Sequence, residues 1–201
     1  MKIKILLVLA VAYLLGSIPF GLIVGKLVTG KDIRDQGSGN TGATNAYRLM
    51  GLGFGLLVAL LDIGKGVAAV KIAQMVLGQS SELLILLAGV MAIVGHNLSI
   101  FLKFDGGRGV ATSVGVLGSL APVEVLIVGA IWFTIILLTR YVSLGSITGA
   151  VILPILMFAF GKPNFIIIFG VLISAFVIYS HKDNINRLLN GNENKISWPN
   201  D

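Results

Sequence analysis

The sequence predicts an all-α membrane protein, a polytopic helical bundle of seven transmembrane helices with the N-terminus outside and the C-terminus cytoplasmic. Hydrophobic residues make up 56% of the 201 residues and charged residues only 12%, a balance typical of chains that place most of their surface in lipid. The apolar residues form long runs, and Lys and Arg collect at alternate ends of them. With little chain left over, residues 1–201 are expected to form a single integral-membrane domain.

Charge-poor runs mark the expected spans, since an unpaired charge in hydrocarbon is costly. The seven runs are residues 5–25, 49–81, 83–102, 109–123, 125–140, 141–161 and 165–180. The second run combines residues 49–61 and 72–81 around the charged segment 62–71. The fourth run is short, because its helix would reach about 22 Å against a hydrocarbon core of about 30 Å. It therefore tilts, borrows flanking residues or only re-enters the membrane.

The distribution of positive charge sets the expected orientation. With the N-terminus outside, the outer side holds Lys2, Lys4 and Lys162. The inner loops and tail hold Lys26, Lys31, Arg34, Arg48, Lys103, Arg108, Arg140, Lys182, Arg187 and Lys195. The polar segment 190–201 is expected to be a flexible cytoplasmic tail without evident chemistry.

Composition also excludes several functions. The absence of cysteine rules out a thiolate metal site, an iron–sulfur cluster and a cysteine nucleophile. No metal site or other cofactor is expected, since His96 and His181 are the two histidines and no carboxylate cluster joins them. Nucleic acid is not expected as a partner because no basic surface interleaved with aromatic residues is present. The net charge of +6 instead favours an anionic substrate.

Three polar segments fall on the predicted cytoplasmic side, and the first covers residues 35–48. Residues 37–42 match G-x-G-x-x-G, but a dinucleotide site needs a preceding strand and a soluble βαβ unit, and here a hydrophobic span precedes the motif. The glycines still let the backbone approach a ligand at the start of a helix, where free N–H groups bind anions. Asn45 and Arg48 share a helical face and could complete a phosphate or carboxylate site. The structural alternative is a well-capped helix after a flexible turn.

The second segment, residues 95–112, repeats this arrangement. A Gly-Gly-Arg-Gly turn at residues 106–109 opens the fourth run, and Lys103 and Arg108 bring positive charge to it. Two such sites suit a substrate with two anionic groups, or two substrates. His96 is either a catalytic group or a packing residue at the apolar boundary.

The third segment, residues 181–187, follows the last run. His181, Asn184 and Arg187 recur every third residue on one helical face, which fits either a binding site or an interfacial positive anchor. A smaller polar patch that includes Ser143 lies in the inner loop at residues 140–146.

Asp62 and Lys65 differ from these residues because they lie inside a predicted span. At a spacing of three they can pair with each other on one helix. They are interpreted either as an internal anchor that positions the glycine-rich loops or as direct substrate contacts.

Two classes of function compete on these residues. A transporter of a small phosphorylated anion would place its site near the bilayer midplane, usually between internal repeats, and no repeat is found. An interfacial enzyme acting on a phosphorylated, partly lipidic substrate would place polar loops at the membrane boundary, as here. There is no G-x-S-x-G motif and no acidic cluster for Mg²⁺, so the residues do not specify the reaction.

The ordered motifs resemble the bacterial acyl-phosphate:glycerol-3-phosphate acyltransferase family. They are GSGNTGATNAYR at 37–48, DIGKG at 62–66, GHNLSIFLKFDGGRGVATSVG at 95–115, RYVSLGSI at 140–147 and HKDNINR at 181–187. The resemblance implies a multi-pass enzyme of the bacterial inner membrane, with its active site on the cytoplasmic side. It would transfer a fatty acyl group from acyl phosphate to the sn-1 hydroxyl of glycerol 3-phosphate, giving lysophosphatidic acid and phosphate. Its partners would be these two substrates and the lipid bilayer, with no obligatory protein partner evident.

The resemblance also implies site residues. The expected catalytic group is Ser38, Arg48, Lys103, His181 and Asn184. The expected substrate-binding group is Gly37, Gly39, Asn40, Thr41, Asn45, Asn97, Ser99, Gly107, Arg108, Gly109, Ser143 and Arg187. Because an acyl phosphate is already activated, Ser38 is expected to be an anion ligand and not a nucleophile. The proton acceptor is either the phosphate itself or His181.

Overall fold

The computed structural model describes residues 2–78 and 81–196, and within these ranges it contains helices and no strand. This confirms the all-α prediction. The ten α-helices are α1 Lys2–Ser17, α2 Phe20–Thr29, α3 Ala43–Met50, α4 Leu52–Leu77, α5 Glu82–Asn97, α6 Val110–Gly118, α7 Pro122–Thr139, α8 Val142–Ala159, α9 Asn164–Ser180 and α10 Lys182–Leu189. Short 3₁₀ turns at Ile33–Asp35 and Ile100–Leu102 lie in the two longest connections.

The helices form two compact units, Met1–Ser119 and Leu120–Asp201. The first unit contains α1 to α6 and the second contains α7 to α10. That both units belong to one integral-membrane domain remains a prediction.

Close backbone contacts at glycines hold the first unit together. Helix α1 packs against α5 and α4 against α6. A Cβ added at Gly16 would overlap the backbone of Ala92, and one added at Gly66 would overlap the carbonyl of Thr112. Small residues allow helices to approach closely where lipid supplies no hydrophobic driving force between them.

The first apolar run is broken in its C-terminal half, which differs from the single helix expected over residues 5–25. Helix α1 ends at Ser17 and α2 begins at Phe20, because Pro19 has no N–H and restricts the residue before it. The carbonyl of Ile18 lies in this break, where Phe20 N donates to it at 3.1 Å.

The second unit is built from α7, α8 and α9 in sequence, with α7 packed on α8 and α8 on α9. Gly145 lies against the Trp132 ring, and Gly170 lies against the side chain of Met157. Helix α10 follows α9 at a bend of 59°.

Among the described residues, four helical stretches are long and apolar enough to cross a membrane: Lys2–Thr29, Glu82–Leu102, Pro122–Thr139 and Val142–Ala159. The bent pair Asn164–Ser180 and Lys182–Leu189 brings the number to five if it counts as one span. Helix α4 has 26 residues and reaches about 39 Å, but it carries Asp62, Lys65 and Lys71. Helix α6 has only nine residues, so the fourth predicted run is a helix still shorter than expected.

Candidate active site

The glycine-rich loop, residues 37–42, connects the 3₁₀ turn Ile33–Asp35 to α3 in the first unit. Gly37 and Gly39 adopt φ values of 63° and 69°, a region that L side chains rarely occupy. Ser38 lies between them and is half-buried. Two left-handed residues flanking one serine give the compact turn that lets backbone N–H groups face a ligand.

The side chain of Asn45 on α3 forms hydrogen bonds with the backbone of this loop and of the turn before it. Its Oδ1 accepts a hydrogen bond from Ser38 N at 2.9 Å, and its Nδ2 donates to Ile33 O at 2.8 Å and to Gln36 O at 3.1 Å. The side chain is 1% exposed. Asn45 therefore supports the loop through its amide, and its predicted contact with substrate stays a prediction.

The end of the loop prepares the start of α3. Asn40 Oδ1 accepts a hydrogen bond from Gly42 N at 2.8 Å, and Thr41 is buried with its carbonyl against Gly21 of α2. Arg48 lies half-buried in the last turn of α3. The residues expected to bind an anion thus lie in the loop before α3 and on α3 itself.

A surface ion pair precedes the loop. Arg34 Nη2 lies 2.7 Å from Asp32 Oδ2, and this side-chain hydrogen bond lowers the pKa of Asp32 to about 2. The pKa of Arg34 is raised, first by Asp32 and to a lesser extent by the charges of Asp105 and Asp35. Since Asp105 belongs to the second segment, the turn that precedes the glycine-rich loop lies within electrostatic reach of that segment.

The second segment turns back on the end of α5. Gly106 N donates to Asn97 O at 2.9 Å and Gly107 N donates to His96 O at 3.0 Å. A Cβ at Gly107 would overlap His96 Nε2, and one at Gly109 would overlap Asn97 Oδ1. A side chain at either position would displace a side chain of α5, and Gly109 also has a φ of 77°.

Lys103 occupies a strained turn within this segment. Lys103 and the following Phe104 have φ values of 54° and 67°, which is uncommon for residues with a Cβ, and Lys103 caps the 3₁₀ turn Ile100–Leu102. Both side chains are exposed. Arg108, in the glycine turn, is half-buried.

Ser99 connects the second segment to α1. Its hydroxyl donates to Ser17 O at 2.6 Å, and the residue is 1% exposed. Tyr13 makes a parallel contact by donating to Leu98 O at 2.8 Å. The hydroxyl of Ser99 is thus occupied by a structural hydrogen bond, and its expected role with substrate stays a prediction.

One small cavity of the first unit is lined by both segments. Its walls include Thr41 from the glycine-rich loop and Ser99 and Leu102 from the second segment. The remaining lining residues come from the α1–α2 break and from the buried ionisable groups: Ser17, Ile18, Pro19, Phe20, Gly21, Asp62, Lys65 and His96. The structure therefore brings the first two predicted segments together around a polar cavity.

In the second unit, residues of the third segment bind the carboxylate of Glu193, which was not among the predicted site residues. Glu193 Oε1 accepts hydrogen bonds from Ser143 Oγ at 3.1 Å and from Asn184 Nδ2 at 2.8 Å. Its Oε2 accepts from Arg187 Nε at 2.8 Å. Three residues predicted as substrate ligands thus converge on one buried acidic group.

His181 lies at the bend between α9 and α10 and is buried. Its Nδ1 is 2.7 Å from Val177 O, and because a carbonyl oxygen only accepts, this ring nitrogen carries the proton. In the neutral ring the lone pair is then on Nε2.

Residues 190–196, the described part of the expected tail, make defined contacts within the second unit, and the flexibility of segment 190–201 stays a prediction. Besides the bonds of Glu193, Ile196 N donates to Arg140 O at 3.0 Å, and Lys195 Nζ lies 5.3 Å from the Tyr141 ring centroid. The rest of the expected tail, residues 197–201, lies outside the described residues.

Asp62 and Lys65, expected either to anchor the loops or to contact substrate, belong to a network of buried ionisable residues. Asp62 pairs with Lys65 at 2.7 Å and lies 3.6 Å from His96. Thr112 Oγ1 is 3.2 Å from His96 Nδ1. The position of Asp62 and Lys65 inside an apolar span was the signal for this network. No signal local to Glu193 distinguishes it from an ordinary tail residue.

Within the described ranges, no group of three or more His, Asp or Glu side chains is arranged to hold a metal ion.

The chain is similar to known glycerol-3-phosphate acyltransferases. A family model described as glycerol-3-phosphate acyltransferase matches residues 6–191. The glycerol-3-phosphate acyltransferase of Syntrophomonas wolfei is 46% identical over 189 residues, covering 94% of this chain and 95% of the relative. Glycerol-3-phosphate acyltransferase 2 of Moorella thermoacetica is 49% identical over 191 residues, covering 95% and 97%.

Two solved structures share the fold. Both are crystal structures of PlsY (YgiH), an integral membrane glycerol 3-phosphate acyltransferase. The glycerol 3-phosphate form superposes with a TM-score of 0.90 at 40% identity, covering 96% of each chain. The lysophosphatidic acid form gives a TM-score of 0.86 at 38% identity, covering 96% of this chain and 95% of the other.

Proposed function

Because this chain belongs to the glycerol-3-phosphate acyltransferase family, we propose that it transfers a fatty acyl group from acyl phosphate to the sn-1 hydroxyl of glycerol 3-phosphate. The products are lysophosphatidic acid and inorganic phosphate, in phospholipid biosynthesis. The observation that carries the proposal is that the first and second polar segments, residues 35–48 and 95–112, both line one cavity of the first unit. We refer to these two segments as the anion segments. The forms of the solved relatives, with glycerol 3-phosphate and with lysophosphatidic acid, support the acceptor and the product.

The donor is proposed from its chemistry. An acyl phosphate is a mixed anhydride with a good leaving group, so the enzyme has mainly to hold two anions together and stabilise charge on the departing phosphate. The hydroxyl oxygen attacks the carbonyl carbon, the bond from that carbon to the phosphate oxygen breaks, and phosphate leaves with the electron pair. The hydroxyl proton passes to the phosphate or to His181.

The first unit supplies the proposed donor site. Backbone N–H groups of the glycine-rich loop, with Gly37 and Gly39 in left-handed conformation, bind the phosphate of the acyl phosphate. The Ser38 hydroxyl is a further anion ligand and not a nucleophile. Asn40, Thr41 and Asn45 keep the loop in place through the contacts described above. Ser143 is proposed as a further ligand of the acyl phosphate.

Glycerol 3-phosphate is proposed to bind to Arg48, Lys103, His181 and Asn184. Guanidinium and ammonium groups recognise its phosphate, and the amide and imidazole orient its hydroxyl groups. The second-segment residues complete the anion sites together with Arg187: Asn97, Ser99, Gly107, Arg108 and Gly109. Glu193 is proposed to fix the positions of the Ser143, Asn184 and Arg187 side chains, since it accepts a hydrogen bond from each.

The proposed setting is the bacterial inner membrane. The family and its fold make this a multi-pass integral membrane protein, and we propose seven crossings, with the N-terminus outside and the active site on the cytoplasmic side. Helices α4, α6 and α9, which carry charges or are short, supply the crossings beyond the apolar stretches. The excess of Lys and Arg in the inner loops supports this orientation. The reaction is proposed to need neither metal, cofactor nor obligatory protein partner.

A donor comparison tests this function. The purified protein in lipid is incubated with labelled glycerol 3-phosphate and a chelator, with acyl phosphate, acyl-CoA or acyl carrier protein supplied in parallel. We expect lysophosphatidic acid from acyl phosphate alone. Product from another donor would contradict the proposed donor. No product, together with uptake of labelled glycerol 3-phosphate into proteoliposomes, would indicate a transporter instead.

A further inference from the structure

A buried chain of polar side chains crosses the first unit. Asp62 and Lys65 lie one turn apart on α4, each with 3% of its side chain exposed, and Lys65 Nζ is 2.7 Å from Asp62 Oδ1. The same Asp62 oxygen is 3.6 Å from His96 Nδ1 on α5. His96 Nδ1 is in turn 3.2 Å from Thr112 Oγ1 on α6. Three helices are thus joined through side chains that are almost fully buried.

One end of this chain reaches the support of the glycine-rich loop. Lys65 Nζ donates to Ile18 O at 2.9 Å, in the break between α1 and α2, and lies 5.7 Å from the Phe20 ring centroid. Immediately beyond the break, Gly21 packs so closely on the carbonyl of Thr41 that a Cβ would overlap it. A shift of Lys65 would therefore be transmitted to the end of the loop.

The other end reaches the glycine turn of the second segment. The His96 ring, which faces Asp62, occupies the space that a Cβ of Gly107 would need. The carbonyl of His96 accepts a hydrogen bond from Gly107 N at 3.0 Å. The position of His96 therefore sets the position of this turn through both its ring and its backbone.

An isolated Asp–Lys pair on one helix would satisfy itself, and buried pairs of this kind add little stability over apolar residues of similar volume. Here each partner also makes a contact outside α4, Lys65 to Ile18 and Asp62 to His96. The two contacts lead to two different anion segments. Stability alone does not explain this arrangement, whereas a requirement for fixed spacing between the segments does.

We infer that Asp62 and Lys65 are positioning residues that hold the two anion segments at a fixed separation and so set the geometry in which both phosphate groups bind. They act on the two segments through His96 and the α1–α2 break. The inference rests on the proposed function for the identity of the ligands. How rigidly the two segments are held, by contrast, can be measured without substrate.

The test uses the full chain with Asp62→Asn and two readouts. Hydrogen exchange reports opening of the Gly106 and Gly107 amides, both of which donate to α5 carbonyls. Steady-state kinetics report KM and kcat for glycerol 3-phosphate. We expect faster exchange over residues 103–112 and a rise in KM of roughly tenfold, because small displacements of binding groups cost factors of this size.

A double variant separates positioning from charge balance. Asp62→Asn with Lys65→Met leaves no unpaired buried charge, so it folds even if the single variant does not. If the pair serves only to neutralise charge, the double variant restores the exchange rates and the KM of the parent protein. Positioning predicts that the thermal midpoint recovers while exchange and KM stay raised, because Ile18 O has lost its donor and His96 no longer faces a charged carboxylate.

Glu124→Gln is the matched control. Glu124 is 1% exposed and pairs with Lys162 at 3.4 Å in the second unit, so this variant removes an equally buried carboxylate on α7, a helix that carries neither segment. It should lower the thermal midpoint and leave exchange over residues 103–112 and KM unchanged.

Parent-like exchange and KM in Asp62→Asn, or their recovery in the double variant, would overturn the inference. If the parent protein makes no lysophosphatidic acid from any donor, the proposed function fails. The exchange measurement then still decides the positioning role.

Discussion

Asn184 on α10 donates a hydrogen bond from Nδ2 to Oε1 of Glu193, 2.8 Å away, and both side chains are buried. The bond connects a helix carrying predicted substrate ligands to a chain segment that composition alone marks as a loose tail. Arg187 Nε donates to the other carboxylate oxygen at 2.8 Å. The third segment is therefore ordered by a residue that follows it in sequence.

Glu193→Gln should destabilise this arrangement. Glutamine presents an NH₂ group where one carboxylate oxygen accepted a hydrogen bond, so a buried donor loses its acceptor, at a cost of about 1–3 kcal/mol. Thermal unfolding in detergent, followed by circular dichroism, should show a lower midpoint. Asp183→Asn, which changes an exposed carboxylate on the same helix, is the control. An equal midpoint in the two variants would contradict this role.

Asn45→Asp should disturb the glycine-rich loop while conserving size. Aspartate still accepts from Ser38 N, but it places an oxygen where Nδ2 donated to Ile33 O and Gln36 O. The repulsion displaces the loop, and KM for acyl phosphate should rise by roughly tenfold. Asn164→Asp, an exposed position at the start of α9, introduces the same charge and should leave KM unchanged. Parent-like kinetics for Asn45→Asp would show that the loop does not depend on this amide.

Gly107→Ala tests the close packing of the second segment. The new Cβ meets His96 Nε2, so the glycine turn has to move away from α5. We expect kcat/KM to fall by roughly tenfold or more. Gly129→Ala is the matched change, because nothing lies within 4 Å of a Cβ added there. Equal kcat/KM in both variants would mean that the turn tolerates displacement.

The ion pair before the loop has a defined pH dependence. Hydrogen bonding to Arg34 lowers the pKa of Asp32 from 3.8 to about 2, so the folded state releases this proton more readily than the unfolded chain. The stabilisation is fully present above about pH 4 and is lost as the pH falls through about 2. In Arg34→Met, carboxyl ¹³C NMR should show the pKa of Asp32 returning toward 3.8. A pKa that stays near 2 in this variant would exclude Arg34 as the cause.

Much of the first unit could be predicted from local sequence. Glycine, asparagine and a following apolar run correctly indicate a turn and a helix at residues 37–48, because the backbone requirements of a turn are local. The Gly-Gly-Arg-Gly turn before α6 follows for the same reason. The close spacing of Asp62 and Lys65 also predicts their ion pair.

Other features depend on contacts between distant residues and could not be read from a pattern. The bonds from Ser143 and Asn184 to Glu193 span 50 and 9 residues. The contact of Asp62 with His96 depends on how α4 packs on α5. The break at Ile18 and Pro19 was visible as a proline, but an apolar run that continues past it favours one uninterrupted helix.

The proposed reaction moves an acyl group from acyl phosphate to glycerol 3-phosphate without a metal. It can be followed by phosphorus-31 NMR of the purified protein with both substrates and a chelator. We expect inorganic phosphate and lysophosphatidic acid to appear in equal amounts as both substrates disappear. Release of phosphate without lysophosphatidic acid, or no reaction until a metal ion is added, would rule this reaction out.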